Sequence, residues 1–167
     1  MSRGFVKEGD QEEIPIVPPR AYLPDGVTNY VTRTGMDQLL AEREKLINDK
    51  NNLDITHENE HRIATNLINA KLQLLNTRIV EAKLVNPKEQ TQDEIRFGAV
   101  ITLKIEKNNK IQTFQIVGVD EADISKGKIS FISPLAKVLI NKKVGEKALL
   151  KRPGHDLVFE ILNITYV

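Results

Sequence analysis

Ile68-Asn69-Ala70-Lys71-Leu72-Gln73-Leu74-Leu75-Asn76-Thr77-Arg78-Ile79-Val80-Glu81-Ala82 is the stretch that decides the fold. Ile68, Leu72, Leu75, Ile79 and Ala82 follow a four-three-four spacing, the apolar seam of a two-helix coiled coil. Such a seam needs a partner helix, because one helix alone leaves it in water. The partner lies upstream, where Leu39, Leu46 and Leu53 recur every seven residues with Met36, Leu40 and Ile47 beside them. Glu42, Arg43, Glu44 and Lys45 form the charged outer face of that helix, and Thr32 or Thr34 supplies its N-cap. The second helix ends before Pro87. Two helices joined by a short polar segment fold antiparallel to bury their seams against each other. Arms of roughly 20 to 25 residues, at ~1.5 Å per residue, project about 30 to 37 Å, which is the shape of a finger.

The midpoint of this hairpin is Asp54-Ile55-Thr56-His57-Glu58-Asn59-Glu60-His61, and it admits incompatible readings. Asp54, Glu58 and Glu60 form either a functional acidic tip or a solvated turn whose acids favour the N-terminus of the second helix. His57 and His61, with Glu58 between them, also match the H-E-x-x-H of zinc hydrolases, in which two imidazoles share a helical face and the glutamate is the general base. That motif needs apolar flanks and a third ligand. Its setting here is a polar hairpin end, and the only other histidine, His155, falls in a distant predicted turn.

Downstream of the finger the period changes. Pro87 to Glu94 is polar and aperiodic, a linker, and after it come runs alternating with period two. Val100–Ile105 and Ile111–Val117 flank Asn108-Asn109 as a hairpin, and Lys128–Ile132 is a further strand. Ser133-Pro134 places a cap and a first-turn proline ahead of a short helix through Leu135, Val138 and Leu139. Lys147–Leu150 and Leu157–Thr165 flank the Pro153-Gly154 turn. These elements predict an α+β protein, an antiparallel helical hairpin followed by an antiparallel sheet carrying one short helix.

Residues 1 to 28 hold Pro15, Pro18, Pro19 and Pro24 with an acidic Glu12-Glu13 pair, which excludes helix or central strand. This arm is either polyproline-like or disordered, or it docks through Ile14, Ile16, Val17, Tyr22 and Leu23. The organisation expected is an arm over 1–28, a finger over 29–86, a linker over 87–94 and a sheet domain over 95–167.

Composition narrows the function. With 24 basic and 23 acidic residues in 167, the net charge of +1 provides no global field for nucleic acid, so any such contact is local. The chain has no cysteine, which excludes disulfides, thiolate metal sites and cysteine nucleophiles. No run approaches a membrane span, and Met1 to Asp10 lacks the apolar core of a signal peptide, so a cytoplasmic protein is expected.

A helical finger followed by this α+β domain resembles the bacterial Gre transcription elongation factors. The resemblance rests on Phe97-Gly98-Ala99-Val100, on Ile116-Val117-Gly118-Val119-Asp120-Glu121-Ala122-Asp123, and on Ser133-Pro134-Leu135-Ala136-Lys137 leading to Gly145-Glu146. Asn29-Tyr30-Val31-Thr32 with Gly35 matches the family's opening, so the likeness covers about residues 29–167. It implies an FKBP-like sheet domain that docks beside the secondary channel of RNA polymerase, through Asp120, Glu121, Asp123, Ser133 and Pro134.

It further implies that the finger enters the channel and that tip carboxylates help hold a second Mg²⁺ for cleavage of a backtracked nascent RNA 3′ end. The polymerase supplies the remaining ligands, making the chain an accessory factor rather than an enzyme, with no membrane and no small-molecule substrate involved. Asp54 and Glu58 are the counterparts of the tip carboxylates, and Arg62, Lys71, Arg78 and Lys83 form a basic stripe toward RNA. The tip departs from the family's Gly-Asp-x-x-Glu-Asn: here Asp54 is followed by Ile55-Thr56-His57 and then Glu58-Asn59, one residue longer and without the glycine. The arms also read as about 10 Å shorter, roughly one heptad each. The alternative function is a non-catalytic occupant of the same channel, and the more remote one is the zinc hydrolase.

Overall fold

The computed structural model describes residues 15–54 and 56–167, which leaves Glu12, Glu13, Ile14 and Ile55 outside the account. After the arm the order is β1 (Asn29–Val31), α1 (Arg33–Asn51), α2 (Glu58–Glu81), β2 (Ala82–Leu84), β3 (Ala99–Ile105), β4 (Ile111–Val117), β5 (Lys128–Ser130), α3 (Pro134–Leu139), β6 (Lys147–Leu150) and β7 (Leu157–Tyr166).

Thr32 is the residue that caps α1: its side chain accepts from the Gly35 amide at 2.9 Å. The helices contain 19 and 24 residues, so they extend about 29 and 36 Å. Their seams meet as the spacing requires, but burial is uneven. Val31, Leu39 and Leu75 are buried toward the base of the hairpin, with Met36, Leu46, Ile79 and Ala82 packed around them. Farther out, the seam residues Leu53, Ile68 and Leu72 are partly buried, and Ile47 and Ile63 beside the seam are exposed. Burial is deepest at the root and thins toward the tip.

The hairpin also connects a pair of strands absent from the sequence reading. β1 and β2 pair in parallel, Asn29 with Ala82 through Val31 with Leu84, and the Val85 amide donates to the Val31 carbonyl at 3.0 Å. A parallel pair requires a long crossover, and here the whole helical hairpin is that crossover. α2 therefore ends without a glycine cap; Ala82 turns directly to extended backbone (φ −65°, ψ 132°) and begins the strand.

The second sheet has the order β5-β4-β3-β7-β6. Its β3 alternates perfectly, with Ala99, Ile101, Leu103 and Ile105 inward against Phe159 and Ile161 of β7 and Ala136 and Leu139 of α3. A register shift between Thr102 and Leu103 pairs them with Asn163 and Ile161, leaving Leu162 as an extra residue. The bulge changes which parity of β7 faces the core: Phe159 and Ile161 before it, Ile164 and Tyr166 after it.

The expectation of a wholly antiparallel sheet is corrected by β5, which pairs parallel to β4. Side-chain alternation encodes which face is buried and carries no information on strand direction. The 87–94 stretch is also more structured than a polar tether: it opens with a 3-10 turn over Pro87–Glu89, and Glu94 bridges Lys143. The Tyr166 hydroxyl donates to the Glu94 carbonyl and accepts the Arg96 amide at 2.9 Å, tying the chain's end to the sheet's entrance.

The hairpin and the sheet meet through backbone proximity at Gly118. A Cβ built there would lie 2.5 Å from the Tyr30 carbonyl oxygen, so β1 sits where any side chain would be. Gly118→Ala is expected to lower stability by about 1–3 kcal/mol through this overlap, read from the midpoint of urea unfolding.

Candidate functional site

The tip is built from a helix end, a turn and a helix start. α1 stops at Asn51, with the Asn52 amide donating to the Asn48 carbonyl. Asp54 then makes a turn of its own: its Oδ1 accepts the Thr56 amide at 2.8 Å and the Thr56 hydroxyl. The Thr56 hydroxyl, then its amide, holds the Asp54 carboxyl below the ordinary carboxylate range. The residue is fully exposed, so its charge is fixed by local hydrogen bonds rather than by burial. Glu58 and Glu60 occupy the first turn of α2, where the helix dipole favours anions.

His57 is the N-cap residue, with extended backbone (φ −118°), and makes no side-chain capping bond. Only the second histidine of the H-E-x-x-H therefore stands on helical backbone. Among the described residues no group of three or more His, Asp or Glu side chains is placed to hold a metal. The zinc reading therefore lacks its third ligand.

At the other end of the hairpin the acids of the 118–123 loop behave unlike a solvent-facing patch. Glu121 has a side chain only 2% exposed and is paired to Lys128 Nζ at 2.9 Å. It also accepts from the Thr32 hydroxyl, the same oxygen that caps α1. Gly35, in the first turn of α1, leaves space for the carboxylate: a Cβ there would come 2.8 Å from Glu121 Oε1. Asp120, 10% exposed, accepts from Arg20 Nε at 3.1 Å and lies 3.8 Å from Arg78 Nη1.

Asp120 and Glu121, the acids expected to dock, are in this structure ties between hairpin and sheet, each facing a cation across the joint. Asp123 caps the 3-10 turn Ile124–Lys126, accepting the Ser125 amide at 3.0 Å and its hydroxyl at 2.6 Å. Ser133 caps α3 through the Ala136 amide at 3.2 Å, which leaves Pro134 the exposed residue of that pair.

The four basic residues do not form one stripe. At ~100° per residue, Arg62 lies about 180° around α2 from Lys71. Arg78 is turned inward and donates to the Ala21 carbonyl, while Lys83 is in β2 with its Nζ 5.9 Å from the Tyr30 ring centre. Arg62 alone of the four lies near the tip. Tyr30 completes the joint by packing with Phe97 and Phe131, ring centres 5.6 to 5.8 Å apart. The residues missed from sequence are Arg20, Thr32 in its second role, Glu42 and Lys128. Their partners are up to 100 positions away, and no local pattern marks them.

The architecture is thus a two-helix finger with acids at its tip, seated by its root on a small mixed sheet. Residues 79–166 match the C-terminal region of the GreA/GreB transcription elongation factors, and the chain belongs to that family. The transcription elongation factor GreA of Syntrophotalea carbinolica is 32% identical over 133 residues, covering 75% of this chain and 84% of that one. GreA of Acidiphilium cryptum is 41% identical over 99 residues, 59% of this chain and 63% of that protein, so the match spans under two thirds of its length. Among solved structures, the GreA/GreB factor of Nitrosomonas europaea aligns over 82% of this chain and 98% of that one, at 17% identity and a TM-score of 0.42.

Two measurements check the electrostatics. Lys128→Met leaves the Glu121 carboxylate buried without its counter-ion, and a stability loss of roughly 2–3 kcal/mol is expected; Lys128 retains some exposure, which keeps this below the ~3–5 of fully buried pairs. Adding Glu121→Gln should recover part of it in urea unfolding. At the tip, Thr56→Val should raise the Asp54 pKa, measured by NMR titration. Since the folded value lies below the unfolded one, this turn's contribution to stability is present above the ordinary carboxylate range and fades as pH falls through the folded pKa.

Proposed function

We propose that this chain binds RNA polymerase at its secondary channel, inserts the helical hairpin and stimulates Mg²⁺-dependent cleavage of backtracked nascent RNA. The observation that carries the reading is the placement of the exposed carboxylates Asp54 and Glu58 at the end of a finger about 30 Å from its root, in a chain of the GreA/GreB family.

Carboxylate oxygens are the donors a hard cation prefers, so Asp54 and Glu58 suit Mg²⁺. Two carboxylates do not complete a coordination shell, and the described residues offer no third metal-ligating group nearby. The fit is therefore to an ion shared with the polymerase, which supplies the other ligands; such an ion, when bound, lowers the pKa of an attacking water and steadies the leaving oxygen. The chain's own residues carry and orient charge: Thr56 keeps Asp54 ionised and directed, and the first turn of α2 favours Glu58 as an anion. Arg62, exposed beside them, is the basic residue suited to meet the RNA 3′ end. The chain is an accessory factor acting in the cytoplasm, where the polymerase works.

The second reading, a non-catalytic occupant of the channel, is favoured by one feature. Asp54 is already committed to Thr56, and its turn is one residue longer than the family's tip.

Purified protein added to stalled, backtracked elongation complexes distinguishes the two. Transcript shortening that requires Mg²⁺ and falls to the polymerase's background rate in the Asp54→Ala, Glu58→Ala double variant is expected. Inhibition without shortening would support the occupant, and cleavage equal to wild type in the double variant would remove the tip from the chemistry.

A further inference from the structure

We propose that the arm segment 17–21 is a clamp that sets the angle between the helical hairpin and the sheet domain, with Arg20 as its latch. One guanidinium joins three parts of the fold. Its two terminal nitrogens donate to both Glu42 oxygens on α1, at 2.8 and 3.1 Å, and its Nε donates to Asp120 of the sheet domain at 3.1 Å. This is the forked, planar recognition of carboxylates to which arginine is suited and lysine is not. The next residue is held from the other helix, since Arg78 of α2 donates to the Ala21 carbonyl while standing 3.8 Å from Asp120. The arm thus bonds to α1, to α2 and to the sheet domain within two consecutive residues.

The position of these bonds gives them leverage. The direct contacts between hairpin and sheet, those of Tyr30, Thr32, Arg78 and Gly118, lie at the hairpin's root. A finger about 30 Å long that is held only at its root pivots there. Glu42 is ten positions beyond Thr32, about 15 Å along the helix, so a tie at that point resists tilting far better than one at the pivot.

The directional part of the hold is polar. Ile16 and Tyr22 are 94% and 77% exposed, and between Val17–Ala21 and the hairpin residues Lys45, Leu46, Lys71 and Leu74 lies a cavity of about 470 Å³. An arm that spans a gap and grips through charge-assisted bonds is releasable, and its grip weakens with salt. Of the apolar residues expected to attach the arm, Ile16 and Tyr22 are exposed, Val17 and Leu23 are partly buried, and Ile14 lies outside the described residues.

This inference stands on the geometry alone; only its consequence, that the clamp aims the tip, rests on the functional reading above. The absence of cysteine allows two spin labels to be placed cleanly, at Asp49→Cys on α1 and Arg152→Cys in the exposed turn before β7. Double electron–electron resonance on the full chain should then give one narrow distance distribution. Arg20→Ala and Arg20→Lys should broaden it, Glu42→Ala should do the same, and high salt should broaden the unmutated chain. Arg33→Ala, which removes only an exposed pair with Asp37, should leave it narrow. A distribution that stays narrow in both Arg20→Ala and Glu42→Ala, or one already broad in the unmutated chain, would overturn the clamp. Both readouts are independent of transcript cleavage.

Discussion

Burial of the Glu121 carboxylate against Lys128 and the Thr32 hydroxyl couples the start of α1 to the sheet domain, and the placement of the hairpin follows from that contact. A carboxylate removed from water without partners costs several kcal/mol. The loop carrying Glu121 is therefore satisfied only when the α1 N-terminus is in place to donate. Thr32 sits at the centre of this arrangement because one oxygen accepts from Gly35 and donates to Glu121, so capping the helix and seating the domain are the same event. The Tyr30, Phe97 and Phe131 rings supply apolar contact beside it, which is adhesive but tolerant of rotation. Direction comes from the charges.

From that root outward, stability falls along the hairpin. Leu39 and Leu75 are buried where the helices leave the sheet, whereas Ile47 and Ile63 near the far end are exposed. Elements with few buried apolar contacts open locally at low free energy. The tip compensates with short-range chemistry: the Asp54–Thr56 turn orders the chain between the helices using only neighbours, without a core beneath it. The end of the finger is thus adaptable as a body while its carboxylate stays locally ordered, a combination suited to completing a site supplied by another molecule.

How much of this was legible in the sequence depends on the range of the interaction. The hairpin followed from Ile68, Leu72, Leu75, Ile79 and Ala82 because coiled-coil burial is periodic, and β3 and α3 followed from strict alternation and from Ser133-Pro134. The three-residue strands β1 and β2 are too short to show a period, and the parallel direction of β5 leaves no trace in alternation. The internal pairing of Asp120 and Glu121 was illegible for a related reason. Acids in a loop read as solvated unless their cations are known, and those cations, Arg20, Arg78 and Lys128, come from the arm, the second helix and a strand edge. The place of Asp54 and Glu58 at the hairpin end was legible because it follows from local periodicity; the pairs that hold the root were not, because they are long-range.

The same difference in range separates what the two ends of the hairpin can tolerate. At the tip, Asp54 and Glu58 are exposed, so substitution there removes charge and, at Asp54, its bonds to Thr56, but disturbs no buried packing. At the root, each acid answers to two or more partners, and a change in any one strands the others in low dielectric. A long, weakly packed finger magnifies small errors at its base: a rotation of a few degrees over about 30 Å displaces the tip by about 2 Å. A catalytic role of the tip would tolerate less than that, since a misplacement of ~1 Å can cost ~100-fold in rate. The buried, ion-paired acids Asp120 and Glu121 are consequently the part of the molecule on which the tip's position depends, although neither acid lies near the tip.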